Sequence, residues 1–127
     1  MRVLIIDDNA AFRAGLRQML AVLGYDVSEA GDGEQGLHVF RQVGADLVLC
    51  DLFMPGTDGV EAIRAFRQES SVPVVAMSGG AYRGSLNLLD AAVHLGACVA
   101  LAKPFNLETL RRALQAAQGQ PHPGPEG

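Results

Sequence analysis

Short runs of apolar, often β-branched residues recur five times along the chain, and each is followed by a stretch in which apolar residues lie three or four positions apart. Continuous apolar runs of this length are typical of strands covered on both faces, and the wider spacing places apolar side chains on one face of a helix. The strands are predicted at Val3 to Ile6, Tyr25 to Ala30, Leu47 to Cys50, Val74 to Met77 and Val99 to Ala102. The pattern therefore predicts an alternation of strands and helices.

Five amphipathic helices are predicted between and after these strands. Gly24 is suited to end the first helix in the left-handed conformation, and Asn106 is a suitable N-cap for the fifth. The second helix is predicted over Gly33 to Val43, before Gly44. The five apolar faces carry, in order, Phe12, Leu16, Met19, Leu20 and Leu23; Leu37, Phe40 and Val43; Val60, Ile63 and Phe66; Leu86, Leu89 and Val93; and Leu107, Leu110 and Leu114.

The number of strand–helix units defines the fold class. Right-handed connections between parallel strands place helices on both faces of the sheet, and a closed eight-stranded barrel would need about twice the length of this chain. Since 127 residues suit one domain, we predict a single-domain, doubly wound α/β fold of five strand–helix units in three layers.

The folded domain is predicted over residues 1–118. Residues 119–127 are rich in proline and glycine and lack apolar anchors, so we expect a disordered tail or the beginning of a linker there. Such a tail suits both a single-domain protein and the first part of a longer one, and Met1 directly before the first strand favours an N-terminal position for the domain.

Charge and hydropathy narrow the classes of function. The formal net charge is −4 and the lysines and arginines are scattered, which argues against a nucleic-acid-binding surface. No apolar run approaches the ~20 residues of a membrane span, and no charged-then-apolar leader precedes the first strand. We therefore expect a cytoplasmic protein that binds neither membranes nor nucleic acid.

The cysteines and histidines suggest no chemistry of their own. Cys50 and Cys98 each lie in an apolar run without a partner at metal-ligand spacing, so buried reduced thiols are expected. His38, His94 and His122 likewise have no ligand-spaced partner.

Polar residues follow or end four of the predicted strands. In an open parallel sheet the ligand site lies beyond the carboxyl ends of the strands, so these side chains should converge at one edge. They are Asp7 and Asp8 after the first strand, Asp51 after the third, Ser78 after the fourth, and Lys103 with Pro104 after the fifth.

Three carboxylates brought within ~5 Å of one another repel by roughly 3 kcal/mol per pair at an effective dielectric constant near 20, so their proximity requires a cation. Hard oxygen ligands suit Mg²⁺, or Mn²⁺ in its place. A carboxylate surrounded by a metal, an ammonium and a hydroxyl is equipped to attack phosphorus, because these groups neutralise charge on the transferring oxygens. Asp51 is the candidate nucleophile.

Each of these residues also has a plainer interpretation. An aspartate at a strand end often caps a helix or stabilises a turn, Ser78 before two glycines is compatible with a turn serine, and Lys103 with a solvated surface lysine. Their joint placement is what favours a site.

Four motifs in register carry a family resemblance. They are Val3-Leu4-Ile5-Ile6-Asp7-Asp8, Asp51-Leu52-Phe53-Met54-Pro55-Gly56-Thr57-Asp58-Gly59, Val72-Pro73-Val74-Val75-Ala76-Met77-Ser78-Gly79, and Gly96-Ala97 leading to Lys103-Pro104-Phe105. With them the chain resembles the response-regulator receiver domains of two-component signalling, the CheY-like superfamily, from Arg2 to about Gln118.

The resemblance implies the flavodoxin-like strand order 2-1-3-4-5 and a role for Asp51 as acceptor of a phosphoryl group from a histidine kinase or a histidine phosphotransfer protein. It implies that Asp8 and Asp51 bind Mg²⁺ directly, that Asp7 acts largely through water, and that the backbone carbonyl of Phe53 completes the protein ligands. Such a chain is a self-phosphorylating acceptor with slow autodephosphorylation rather than a turnover enzyme.

The resemblance also assigns the switch. Ser78 and Gly79 would turn toward the phosphoryl oxygens after transfer, and Lys103 would contact one of them across a cis peptide to Pro104. The family usually has an aromatic residue three positions before the lysine, where this chain has Ala100. A signal would then travel through the loop after Ser78 and the fourth helix.

Two further positions differ in ways that bear on the lifetime of the acyl phosphate. Phe53 lies two residues after Asp51, and Gly80 lies two residues after Ser78. In the family these positions modulate how quickly water removes the phosphoryl group. Phe53 would shield the acyl phosphate and Gly80 would leave its other side open, so the sign of the net effect on its lifetime stays open. The resemblance also implies that the face of the fourth helix, fifth strand and fifth helix dimerises or docks a downstream protein. Leu88 and Leu101 would contribute apolar contacts there, or pack in the core.

Two other functions stay open from the sequence. A Mg²⁺-dependent aspartyl phosphatase uses the same nucleophile but usually carries a second acid two residues later, where Phe53 stands. A binding module that works without phosphorylation is compatible with the missing aromatic at Ala100.

Overall fold

The structure is a computed structural model that describes residues 1–54, 57–79 and 99–119. Within these ranges the chain forms seven strands and four helices. They are β1 (Arg2–Ile6), α1 (Ala10–Val22), β2 (Asp26–Ala30), α2 (Gly33–Val43), β3 (Leu47–Asp51), β4 (Phe53–Met54), β5 (Thr57–Asp58), α3 (Gly59–Glu69), β6 (Val74–Gly79), β7 (Val99–Lys103) and α4 (Leu107–Gly119).

Five of the strands form one parallel sheet in the order β2-β1-β3-β6-β7. Strands β4 and β5 pair with each other in a separate antiparallel ribbon, so the main sheet has the predicted order 2-1-3-4-5. The doubly wound α/β fold is confirmed. The ribbon was not predicted.

Three strands extend further at their carboxyl ends than the apolar pattern indicated. Asp51 is paired with Met77, and Ser78 and Gly79 are paired with Ala102 and Lys103. The backbone ladder continues through these polar residues because pairing depends on main-chain groups rather than on side-chain polarity. The candidate site residues are consequently held within the sheet or directly at its end.

The core consists of two apolar layers, one on each side of the sheet. Alternate residues of β1 show the division, since Leu4 and Ile6 pack on the side of α2 and α3, whereas Val3 and Ile5 pack on the side of α1 and α4. All four are fully buried. Burial on both faces explains why the central strands are continuously apolar, while β2 at the edge of the sheet is half exposed.

Helix ends follow the predicted capping residues. The Asn106 side chain accepts a hydrogen bond from the backbone N–H of Thr109 at 2.8 Å, and the Asn9 and Asp32 side chains cap α1 and α2 in the same way. Gly24 and Gly44 have φ of 90° and 72°, the left-handed region that glycine adopts without strain.

Helix α2 approaches the end of β1 closely at Gly36. A Cβ atom added at Gly36 would lie 2.4 Å from Cδ1 of Ile6. A larger residue here would force the buried Ile6 side chain to shift, and Ile6 immediately precedes the first aspartate of the candidate site.

Several predictions lie outside the described residues. They concern the fourth predicted helix with Leu86, Leu88, Leu89 and Val93, together with Gly80, His94, Gly96, Cys98, His122 and residues 120–127 of the predicted tail. Gly119, the first residue of the predicted tail, instead ends α4. Leu101 is 4% exposed and belongs to the core, which favours the packing interpretation of this residue. None of the described helices is long and apolar enough to cross a membrane.

Candidate functional site

The candidate site lies at the carboxyl ends of four neighbouring strands. Asp7 and Asp8 follow β1 directly, Asp51 is the last residue of β3, Ser78 lies in β6, and Lys103 ends β7. Because β1, β3, β6 and β7 are adjacent in the sheet, their ends bring residues from distant parts of the sequence together.

The three aspartates form one cluster. Each of Asp7, Asp8 and Asp51 offers a carboxylate oxygen, and these oxygens all lie within 4.8 Å of one another. Asp7 and Asp51 are 0% and 4% exposed, whereas Asp8 is exposed to solvent. Two buried carboxylates beside a third, solvent-accessible one match the oxygen donors that Mg²⁺ binds while retaining water.

Lys103 supplies one positive charge to this cluster. Its Nζ atom lies 2.6 Å from Oδ2 of Asp7 and 3.6 Å from Oδ2 of Asp51. A single ammonium offsets one of three carboxylate charges, so the cluster keeps a net negative charge that favours a divalent cation. Although the sequence indicated a lysine pointing into the site, it did not indicate that Asp7 is its nearer partner.

An aromatic side chain covers Lys103. The Nζ atom lies 3.9 Å from the centre of the Phe12 ring, within the range of a cation–π interaction. The Phe12 ring in turn packs edge-on against Phe105, with ring centres 5.9 Å apart. Sequence reasoning assigned Phe12 only to the apolar face of the first helix, so this contact with the site was missed.

Asp7 is held by several hydrogen bonds besides the lysine. Its Oδ1 atom accepts from the backbone N–H of Asn9 at 2.9 Å, and its own N–H donates to the carbonyl of Ala30 at 3.1 Å. Its carbonyl oxygen accepts from Nη1 of Arg13 at 2.5 Å. The residue is therefore fixed at its side chain and at both ends of its backbone.

Ser78 carries a buried hydroxyl and follows Met77, the residue that pairs with Asp51 in the sheet. Its Oγ atom is fully buried and has no hydrogen-bond partner within the described part of the chain. Leaving a buried hydroxyl unpaired costs about 1–3 kcal/mol, so such a group calls for an explanation. Its position, one residue before the partner of Lys103 in the β6–β7 ladder, suits a donor to an oxygen-rich ligand.

The remaining predicted residues occupy the same edge or flank it. Gly79 ends β6 and pairs with Lys103, and the Lys103–Pro104 peptide bond is cis. Phe53 begins β4 two residues after Asp51. Ala100 lies in β7, partly buried against the core layer of α2 and α3.

Cys50 precedes Asp51 but has no nucleophilic character. The thiol is free and fully buried, and burial, together with the charges of Asp51 and Asp7, raises its pKa far above the usual range. A thiol that stays protonated is neither a nucleophile nor a metal ligand at neutral pH.

Comparisons with known proteins agree with this geometry. The family model described as response regulator receiver domain matches residues 3–115. A chemotaxis protein CheY of Rhizobium etli is 35% identical over 120 residues, which cover 94% of this chain and 93% of that protein. The crystal structure of a receiver domain protein from Clostridium thermocellum matches with a TM-score of 0.84 and 26% identity, covering 92% of this chain and 93% of the other.

Other relatives are longer than this chain. The transcriptional regulator ycf27 of Porphyridium aerugineum is 33% identical over 115 residues, which cover 91% of this chain but 47% of that protein. The chain thus spans less than half the length of some of the curated proteins that it matches.

Proposed function

This chain belongs to the response regulator receiver domain family, and on that premise we propose that it accepts a phosphoryl group on Asp51 from a phosphohistidine of a histidine kinase or a histidine phosphotransfer protein. The observation that carries the proposal is the cluster of Asp7, Asp8 and Asp51, with carboxylate oxygens within 4.8 Å and Lys103 against two of them.

In the transfer, a carboxylate oxygen of Asp51 forms a bond to phosphorus while the bond between phosphorus and the donor imidazole nitrogen breaks. The electron pair of the broken bond stays on the imidazole nitrogen. The phosphoryl oxygens carry the spreading negative charge, so groups already aimed at them lower the barrier. Lys103, 3.6 Å from Asp51, is close enough to contact one of those oxygens.

The residues at the site also fit a divalent metal. Asp8 and Asp51 would bind Mg²⁺, or Mn²⁺, directly, with Asp7 acting through water and the backbone carbonyl of Phe53 as a further ligand. When bound, the metal neutralises charge on the carboxylates and on the phosphoryl oxygens. Asp7, already bonded to Lys103 at 2.6 Å, is well placed to act from the second layer of ligands.

Ser78 supports the proposal through its buried hydroxyl, which would donate to a phosphoryl oxygen and thereby gain the hydrogen bond that it lacks among the described residues. Movement of Ser78 and Gly79 would shift the loop that follows. The response would then reach one face of the molecule, which is formed by the helix predicted after Ser78 together with β7 and α4. A second copy or a downstream protein would dock on this face. Ala100 places no aromatic ring in this pathway.

We propose a cytoplasmic location for the chain, because histidine kinases are phosphorylated with ATP in the cytoplasm. It also makes the chain an acceptor that releases its phosphoryl group slowly to water, and not a turnover enzyme. The proposal includes no binding of this domain to membranes or to nucleic acid.

The test is phosphorylation by a small donor. The protein is incubated with acetyl phosphate and Mg²⁺, and the intact mass is measured; one phosphoryl adduct is expected on the wild type and none on Asp51→Asn. Asp46→Asn serves as the matched control, because Asp46 lies at the opposite end of β3 and binds the backbone N–H of Arg2. An unmodified wild type, or an equal adduct on Asp51→Asn, would refute the proposal.

A second candidate function is a docking module that works without phosphorylation, which the small side chain of Ala100 in place of an aromatic ring favours. The two functions differ in what Asp51→Asn does to partner binding. If the chain is a docking module, Asp51→Asn binds a partner with the same affinity as the wild type, in the presence of acetyl phosphate and Mg²⁺. If it is a phosphorylation switch, these reagents change the partner affinity of the wild type but not that of Asp51→Asn.

A further inference from the structure

The peptide group between Asp7 and Asp8 lies just beyond the end of β1, where the strand ladder no longer fixes it. The carbonyl oxygen of this group accepts the 2.5 Å hydrogen bond from Nη1 of Arg13. A main-chain carbonyl in such a place needs a partner, and here the partner is a side chain of α1. The plane of this peptide sets the directions in which both aspartate side chains leave the backbone.

Arg13 is itself held in place. Its Nε atom lies 3.2 Å from Oε1 of Glu29 on β2, and the other oxygen of Glu29 lies 2.6 Å from Nη1 of Arg17. The side chains of Arg13 and Glu29 are 21% and 29% exposed, so the pair is partly screened from water. The rigid guanidinium thus joins α1, β2 and the end of β1.

We propose that Arg13 is a positioning residue for Asp8, holding the Asp7–Asp8 peptide so that the Asp8 carboxylate is presented to the divalent metal. The inference rests on the proposed function and extends it to a residue outside the acid cluster. Asp8 is the member of the cluster that most needs such support, because its side chain is exposed and gains little restraint from packing.

The sign of the effect separates positioning from simple electrostatics. A cation beside the acid cluster repels Mg²⁺, so removing the charge of Arg13 would by itself tighten metal binding. Removing a group that aligns a ligand weakens metal binding, as loss of outer-layer partners does in other metal sites. A weaker affinity in the variant therefore identifies positioning.

The experiment compares Arg13→Met with Arg17→Met. Both substitutions remove one positive charge beside Glu29, but only Arg13 donates to the Asp7 carbonyl. The dissociation constant for Mg²⁺ is measured by calorimetric titration of the intact chain without a phosphodonor. Arg13→Met is expected to weaken Mg²⁺ binding about tenfold, and Arg17→Met by less than about twofold.

A kinetic readout accompanies the titration. At saturating Mg²⁺ the maximal rate of adduct formation from acetyl phosphate should be restored in Arg13→Met, because Arg13 does not touch the reacting oxygens. Should Arg13→Met fold poorly, Arg13→Gln keeps a polar group that is too short to span Glu29 and the carbonyl, and the same loss of affinity is expected.

Equal or tighter Mg²⁺ binding by the folded Arg13 variant, or an equal loss in Arg17→Met, overturns the inference. If the wild type and the Arg13 variant both form the Asp51 adduct and bind Mg²⁺ with the same affinity, the role of Arg13 is refuted and the proposed function is not. A wild type that forms no adduct refutes the proposed function instead.

Discussion

The ammonium of Lys103 lies over the face of the Phe12 ring, with 3.9 Å between Nζ and the ring centre. The same ammonium is bonded to Asp7 at 2.6 Å, so the cation is held between an anion on β1 and an aromatic ring on α1. Helix α1 therefore contributes to the site through Phe12, although it carries none of the acids. A partner that disturbs this helix would also disturb the lysine.

A double-mutant cycle tests the contact between Phe12 and Lys103. We expect Phe12→Leu, Lys103→Met and the double variant to show a coupling free energy of unfolding of about 0.5–2 kcal/mol, the range of partly desolvated cation–π pairs. Phe12→Tyr keeps the ring and is the control, with a coupling close to that of the wild type. Chemical denaturation measures all variants, and additive effects of the two substitutions would show that the ring and the ammonium do not interact.

The excess negative charge at the site predicts a response to metal and to Asp51→Asn. Without metal, Asp51→Asn is expected to raise the free energy of unfolding by about 1–2 kcal/mol, because Lys103 offsets only part of a repulsion of about 3 kcal/mol per carboxylate pair. Adding Mg²⁺ should raise the melting temperature of the wild type more than that of the variant. A metal-free Asp51→Asn protein that melts below the wild type would contradict the electrostatic argument.

Two helical glycines predict opposite effects of the same substitution. Gly36→Ala should destabilise the protein by about 1–3 kcal/mol, because the new Cβ would clash with the Ile6 side chain, at 2.4 Å. Gly15→Ala in α1 meets nothing within 4 Å and should stabilise by up to about 1 kcal/mol. Equilibrium unfolding in urea measures both. Equal stability of the two variants would show that α2 and β1 can move apart without cost.

Two serines give a matched test of the buried hydroxyl. Ser78→Ala should raise the stability of the unphosphorylated protein by about 1 kcal/mol, because it removes a buried hydroxyl without a partner among the described residues. Ser70→Ala should lower stability by a similar amount, since the Ser70 hydroxyl accepts from the N–H of Val72 at 3.0 Å. The adduct from acetyl phosphate should form more slowly only in Ser78→Ala. A Ser78→Ala protein less stable than the wild type would mean that the hydroxyl is paired in the resting state.

The buried thiol of Cys50 predicts both a reactivity and a pH dependence. Burial raises the pKa of Cys50, so the thiol stays protonated in the folded protein after the same thiol has ionised in the unfolded chain, at about pH 8.5. Stability from this group is complete below about pH 8.5 and decreases as the pH rises above it. In a Cys98→Ser background, alkylation by iodoacetamide at pH 9 should require unfolding. Rapid labelling of the native protein would contradict the burial.

The hydrophobic pattern determined much of the fold because both faces of the central strands are covered, which leaves continuous apolar runs at β1, β3 and β6. Helix α2 has the predicted bounds, Gly33–Val43, because a capping aspartate precedes it and a glycine follows it. Polar residues that continue a ladder, such as Asp51 and Ser78, were predicted to follow their strands, because side-chain pattern carries no record of backbone pairing.

The convergence of the three aspartates also follows from the sequence, since parallel strands end at a common edge. The roles of Phe12 and Arg13 do not. Periodicity assigns a residue to a face of a helix, whereas the contacts of Phe12 with Lys103 and of Arg13 with the Asp7 carbonyl depend on where α1 packs against the sheet. Such contacts become visible only when the elements are assembled.

The ion pair between Lys103 and Asp7 joins residues that are 96 positions apart. During translation the first aspartates emerge from the ribosome long before the strand that carries the lysine. Until β7 takes its place beside β6, Asp7 lacks its ion pair with Lys103. The ion pair can therefore form only after β7 has been synthesised and has paired with β6, so the arrangement of charges at this end of the sheet depends on a late part of the chain.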